Sequence, residues 1–316
     1  MNRIQLNISL LRQFPPNERY LIGVSGGRDS AALLDSLVDH RFKNLIVCHL
    51  NHQLRGRASN ADERFVEKLG AKYDVDLEIG SANVRALAAK GKMSIETAAR
   101  EARYKFFAQV AKRRKCRTIF LAHHADDLVE TFLINLFRGA GLTGLAAMRP
   151  VSVRKIDNVR LTIVRPLLGI WRAEIDDYVR QRRLKFREDA SNKNLIPLRN
   201  RLRRRIIPYL EKTFGRNIRP SLWRAATIVA EEENWIDDQT SDSSSAHLSV
   251  SDLRSLPVTL QRRQILKWLR TQDFSNIGFD VVEHVRALLD RDSQIAKTNL
   301  PRGRYARRRA GKIFIE

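Results

Sequence analysis

The sequence predicts an α/β protein, a parallel-sheet domain with helices on both faces followed by a smaller C-terminal α+β domain. Three observations carry that expectation. Short apolar runs alternate with helical patterns over the first 140 or so residues, the first run stops in a paired-glycine turn, and beyond about residue 150 the alternation gives way to arginine-rich helices.

Strand-like runs at 20–24, 45–49, 77–79 and 118–122 alternate with helical patterns at 29–39, 62–72, 94–112 and 126–137. A crossover helix between successive strands makes the strands parallel. Ligands of such sheets bind outside the carboxyl ends of the strands, and Ser25, His49 and His123 fall at or just past such ends. A short strand at 161–164, a helix near 172–183 and an arginine-rich helix near 198–207, which Pro208 helps to end, follow as an appendage. A long helical pattern runs from Pro220 to Ile236 and meets a polar, flexible joint at 237–245. Helices near 260–270 and 281–289 and a basic β-like end at 313–315 complete the chain. The domain boundary is set at 215/216, giving 1–215 and 216–316.

The first apolar run leads into Ser25-Gly26-Gly27-Arg28-Asp29-Ser30 and then Ala31-Ala32-Leu33-Leu34. Two adjacent glycines let the backbone approach an anion while the N–H groups of the helix start point at it. Ser25 and Ser30 add hydroxyls. Asp29 reads either as a partner of Mg²⁺, a hard cation that takes oxygen ligands, or as a helix cap. No Gly-x-x-x-x-Gly-Lys-Ser/Thr occurs, and the Gly-x-Gly-x-x-Gly at Gly139, Gly141 and Gly144 follows a helical pattern, so it reads as a flexible loop.

The 316 residues carry a formal charge of +23, with a pI near 10.7. That excess exceeds what solubility needs and points to a polyanionic partner, with nucleic acid the natural candidate. The charge clusters at 112–117, 180–187, 199–205 and 302–309, and Tyr305 offers the last cluster a stacking face. The two cysteines, Cys48 and Cys116, form no Cys-x-x-Cys pair, which argues against a disulfide scaffold and a structural zinc site. No cleavable leader and no run of about 18 apolar residues is visible, so a soluble cytoplasmic protein without a membrane partner is expected.

A second constellation follows the fourth strand. Asp126 and Glu130 are spaced i, i+4, and Asp127 and Glu130 i, i+3, so three carboxylates share two helical turns behind His123-His124. They suit either a Mg²⁺ cage or recognition of a cationic substrate. His49, Asn51 and His52 follow the second strand beside the first turn, and Arg55 offers a planar fork for phosphate.

The Ser-Gly-Gly-x-Asp-Ser turn resembles the signature of the PP-loop ATP-pyrophosphatase superfamily at all its fixed positions. Further segments resemble the tRNA(Ile)-lysidine synthetase family within it. They are His49-Leu50-Asn51-His52-Gln53-Leu54-Arg55, the helix at 96–104, Ala122-His123-His124-Ala125-Asp126-Asp127 through Thr131, and the segments 138–145, 165–168, 188–192 and 199–203. The resemblance implies a PP-loop catalytic domain using ATP and Mg²⁺, with L-lysine and an isoleucine tRNA bearing a CAU anticodon as partners. It implies ligation of lysine to C2 of the wobble cytidine through an adenylated tRNA, with release of pyrophosphate and AMP and a change of reading from AUG to AUA. On that reading Asp29, Asp126, Asp127 and Glu130 are catalytic, with Asp29 also the metal ligand. Ser25, Gly26, Gly27, Arg28, Asp29, Ser30, His49, Asn51, His52 and Arg55 hold the nucleotide. Arg100, Arg103, His123, Asp127 and Glu130 hold substrate, Arg100 on the lysine carboxylate and Asp127 with Glu130 on the amine. Arg199, Arg201, Arg203, Arg205, Arg302, Arg304, Arg307 and Arg308 hold tRNA. A tRNA thiolase of the same superfamily, disfavoured by the missing cysteine pair, and a non-catalytic nucleotide-responsive RNA-binding protein are the alternatives. The sequence leaves the oligomeric state open, a homodimer included.

Overall fold

The computed structural model describes residues 4–54, 56–146, 148–187, 198–240, 245–272, 274, 277–291 and 295–316. The chain forms two compact units, Met1–Gly139 with Leu145–Ala226, and Ala140–Gly144 with Thr227–Glu316. The division falls inside a helix that begins at Arg219, whereas the sequence reading drew its line at 215.

The larger unit runs α1 (Ile8–Leu11), β1 (Arg19–Gly23), α2 (Arg28–Asp39), β2 (Asn44–Asn51), α3 (Arg57–Tyr73), β3 (Asp76–Ser81), α4 (Val84–Gly91), α5 (Ile95–Arg113), β4 (Thr118–Phe120) and α6 (Ala125–Phe137). After the turn α7 (Leu142–Leu145), most of which is counted with the smaller unit, come β5 (Val151–Ile156), β6 (Val159–Val164), α8 (Arg172–Gln181), α9 (Leu198–Arg201), α10 (Ile207–Phe214) and the first part of α11 (Arg219–Asp238). The sheet order is β3-β2-β1-β4-β6-β5. Every pair is parallel except β5 with β6, a hairpin the sequence reading did not anticipate.

Successive strand residues point to opposite faces, and both faces are buried. Tyr20, Ile22, Val24 and Val47 pack with Leu33 and Leu37 of α2, Val66 of α3 and Ile175 of α8. Leu21, Ile46 and Cys48 pack on the other side with Ala88 of α4 and Phe107 and Val110 of α5. The parallel, doubly covered sheet expected from the alternation is therefore present. Cys48 and Cys116 are both free and buried.

Two local expectations are corrected. Pro208 does not end the arginine-rich helix: a π-helical turn at Leu202–Ile206 joins α9 to α10, and Pro208 sits in the first turn of α10, where its missing N–H costs little. The glycine segment after α6 holds the helical turn α7 rather than being loop throughout, with Gly139 in the left-handed region at φ +71°.

The smaller unit has its own core, in which Trp268, Leu269, Val285, Leu288, Ala306 and Ile313 are buried. It comprises β7 (Leu248–Ser249), α12 (Val250–Ser255), α13 (Val258–Thr271), α14 (Phe279–Ala287), β8 (Lys297–Asn299), β9 (Tyr305–Arg309) and β10 (Lys312–Ile315), with an antiparallel sheet in the order β7-β10-β9-β8. The expected α+β character is present. Residues 241–244 of the anticipated joint lie outside the described residues.

Candidate active site

β1 stops at Gly23, and the backbone then bends through Gly26 at φ +83°, a conformation that L side chains rarely adopt. Gly27 is the N-cap of α2, so Asp29 lies in the first helical turn and is not the cap. The hydroxyls organise the bend: Ser30 Oγ accepts from the Ser25 N–H (3.2 Å) and donates to the Gly27 carbonyl (2.9 Å), and Ser25 Oγ accepts from the Gly27 N–H (3.3 Å). β1 lies between β2 and β4, which is where the strand order reverses direction and where a crevice opens at strand ends.

A cavity of about 500 Å³ occupies that crevice. Of the residues expected at a site, Ser25, Gly27, Asp29, Ser30, His49, Asn51, His52, Arg100, Arg103 and His123 line it, joined by Asp62 and Arg187. Asp29 Oδ1 is buried and has no hydrogen-bond partner among the described residues. A lone carboxylate oxygen beside a phosphate-shaped turn fits Mg²⁺, which takes one or two carboxylates and completes its shell with phosphate and water.

Several expected residues, some of them lining the cavity, also make contacts within the protein. Arg28 pairs with Asp176 of α8 and lies 4.9 Å over the Phe186 ring. Gly26 contributes backbone: its carbonyl accepts the Arg187 N–H (2.9 Å), while Arg187 Nε donates to Asp62 (2.9 Å). The Asn51 carboxamide donates to Asn60 (3.2 Å) and Glu63 (2.9 Å) and accepts from the Gln53 N–H (3.0 Å). His49 Nδ1 donates to the Val24 carbonyl (2.9 Å), which fixes its ring beside the turn. Arg103 Nη2 donates to His52 Nε2 (3.4 Å). Arg55 and the segment 188–192 lie outside the described residues.

The carboxylates of α6 do not line the cavity; they form a neighbouring charged cluster. Asp126 accepts from Arg219 (2.8 Å) and from the Arg172 N–H (3.0 Å). Burial opposes its charge, but His124, the Arg172 N–H and Arg219 prevail and hold its pKa well below the carboxylate range. Burial likewise works against Asp127, yet His124 and His123 keep its pKa low. Arg203 forks onto Glu130 at 2.6 and 3.0 Å and reaches Asp127 at 3.5 Å. Burial nevertheless pushes the Glu130 pKa up, since its side chain is only 1% exposed.

His124, named in the sequence only as part of the doublet behind the acids and given no site role, joins the two constellations. Its ring lies 3.9 Å from Asp29, 3.6 Å from Asp126 and 3.5 Å from Asp127. Burial disfavours its charge, but the three carboxylates push its pKa up. His123 goes the other way, pushed down by burial to about 3, and its Nδ1 has no partner among the described residues. The histidine doublet was the available signal, yet only the fold distinguishes a ring facing the cavity from one facing the acids.

The expected tRNA-binding arginines divide similarly. Arg201 and Arg205 are exposed, whereas Arg199 donates to Thr131 (2.9 Å) and Arg203 faces the acids. In the smaller unit Arg302 and Arg304 are exposed and Arg307 pairs with Glu316 (3.3 Å). Arg308 donates to the Leu288 and Asp290 carbonyls (2.9 and 2.7 Å), closing the end of α14. Lys297 Nζ sits 3.6 Å from the Tyr305 ring centre, so one face of that ring is covered.

Residues 2–210 match the PP-loop domain family and residues 248–314 the TilS substrate binding domain family. The chain is 39% identical over 302 residues to a tRNA(Ile)-lysidine synthase of Geobacter sulfurreducens, covering 91% of this chain and 63% of that protein. It is 36% identical over 282 residues to the corresponding synthase of Chlorobaculum tepidum, covering 85% and 82%. Among solved structures, the U34-tRNA thiolase NcsA of Methanococcus maripaludis shares the fold, with a TM-score of 0.54 at 20% identity over 71% of this chain and 77% of that one. A PP-loop sheet and a TilS substrate binding domain in one chain, with relatives of this kind aligned along most of its length, show that it belongs to the tRNA(Ile)-lysidine synthase family.

Proposed function

We propose that this chain ligates L-lysine to C2 of the wobble cytidine of an isoleucine tRNA with a CAU anticodon, at the expense of ATP. The observation that carries the reading is the meeting, in one cavity, of the Ser25–Ser30 turn, Asp29, Arg100, Arg103 and His123 at the carboxyl ends of β1, β2 and β4. Backbone N–H groups at the start of α2 and the guanidinium groups of Arg100, Arg103 and Arg187 face the negative charge of a triphosphate. The cytidine O2 attacks the α-phosphorus, the bond to the β-phosphate breaks, and pyrophosphate leaves. Asp29 would hold Mg²⁺, whose charge would offset the negative charge of the phosphates. The lysine ε-amine then attacks C2, the C2–O bond breaks with loss of AMP, and the amine proton passes to a carboxylate.

Asp127 is assigned that proton by its position rather than by its basicity, since its pKa is held low. Asp126 is held by Arg219 and the Arg172 N–H, and both oxygens of Glu130 are engaged by Arg203, whereas Asp127 meets Arg203 at 3.5 Å and accepts the His124 N–H at 3.2 Å. Arg100 lines the cavity and is assigned to the lysine carboxylate. His123, neutral over the physiological range, presents an unpartnered Nδ1 to the base or nucleotide. The exposed arginines Arg201, Arg205, Arg302 and Arg304 are assigned to tRNA phosphates, a change from AUG to AUA reading is the biological outcome, and the cytoplasm is the place of action.

The test is mass analysis of nucleosides after incubating the chain with ATP, isotopically labelled lysine and an isoleucine-tRNA transcript. A nucleoside heavier than cytidine by one lysine less one water, because O2 leaves with AMP, is the expected product. Unmodified cytidine overturns the reading, and a gain of sulfur with a sulfur donor present points to thiolation instead.

A further inference from the structure

Arg203 is chemically out of place for a residue expected to bind RNA. Its guanidinium forks onto both oxygens of Glu130, a side chain 1% exposed, and reaches Asp127. These are the two carboxylates assigned above to the lysine amine, so the chain's own cation sits where the substrate's ammonium is expected. Arg203 is also carried by the π-helical turn Leu202–Ile206, an irregular winding that recurs at functional sites, and its neighbours Arg201, Arg204 and Arg205 are exposed. A guanidinium pairs as well with phosphate as with carboxylate.

We propose that Arg203 is an internal stand-in for the lysine ammonium, and that its exchange from the Glu130–Asp127 pair to an RNA phosphate opens the lysine site only when tRNA is bound. The inference rests on the assignment of those acids to lysine. It gives a reason why the acid pair avoids the cost of an unpaired buried charge before substrate arrives. It also orders the reaction, because amine would enter after the RNA has engaged the arginine-rich segment. Arg203 is a positioning residue here, acting through Glu130 and touching no reacting atom.

Linkage supplies the experiment, since two ligands that both favour displacement of one side chain must tighten each other's binding by the same factor. Lysine affinity of the full chain is measured calorimetrically, without ATP so that no turnover occurs, in the absence and presence of saturating isoleucine-tRNA transcript. The expected result is about tenfold tighter lysine binding with tRNA, toward the lower end of the range typical of coupled sites. Arg203→Met should bind lysine tightly without tRNA and lose the tRNA effect, and Arg203→Lys should restore the dependence. Equal lysine affinity with and without tRNA in the wild type, in a preparation that makes lysidine, overturns the exchange alone. Tight tRNA-independent binding restricted to Arg203→Met supports it. Failure of the wild type either to bind lysine or to form lysidine overturns the functional reading and the exchange together.

Discussion

Replacing Gly26 by alanine tests whether the bend after β1 is held by backbone conformation. At φ +83° an L side chain is strained by roughly 1–2 kcal/mol. Space adds little, because the new Cβ would meet Phe65 Cδ1 at 3.4 Å and Val66 Cγ2 at 3.5 Å, ordinary contact distances. The expected loss is therefore the conformational term alone. If the turn keeps its shape, the melting temperature falls by about 2–8 °C for a unit of this size. If it relaxes instead, ATP binding weakens by about 5- to 30-fold, the same free energy expressed as an equilibrium constant. Thermal melts and ATP–pyrophosphate exchange on the same preparation read the two channels. Asparagine tolerates the left-handed region better than alanine, so Gly26→Asn should recover part of the loss. A Gly26→Ala protein with unchanged melting temperature and unchanged ATP requirement, or an asparagine variant worse than alanine, would refute the reasoning.

Other outcomes follow from the same geometry. His123, pushed down to about 3, should show no imidazole titration by NMR between pH 5 and 8, and a midpoint near the ordinary 6.5 contradicts its burial. Because its folded pKa lies below the unfolded value, its contribution to stability is complete above about pH 6.5 and declines as pH falls toward 3. Glu130→Gln should raise the lysine requirement far more than the ATP requirement, and equal effects on both would remove Glu130 from lysine recognition. In the smaller unit, buried Glu233 pairs with Arg263, so Glu233→Ala should cost about 3–5 kcal/mol in urea unfolding, whereas Glu233→Leu with Arg263→Met should recover most of it. Replacing Arg302 and Arg304 by alanine should weaken tRNA binding and reduce the salt slope by about 1.4 to 1.8 while leaving the ATP requirement alone, each phosphate contact being worth about 0.7 to 0.9. No change in filter binding would reduce that patch to solvated surface.

The strand and helix alternation, the phosphate turn and the acidic start of α6 were legible in the sequence because each is a local pattern. Period-two and period-3.6 burial, paired glycines after an apolar run, and carboxylates three and four residues apart report on chain that folds against its own neighbourhood. The hairpin partner β5 was missed because its half-buried residues carry no strong alternation. What only the tertiary structure decided is the partner of each arginine. Arg203 with Glu130, Arg219 with Asp126, Arg28 with Asp176 and Arg308 with the end of α14 join segments far apart in sequence. In sequence all four are merely basic, and a long flexible cation reaches whichever acceptor the fold brings within hydrogen-bond distance. The separation of His123 from His124 has the same origin, since His124 is the N-cap of α6 beside its acids whereas His123 lines the cavity, and only packing decides which ring meets which.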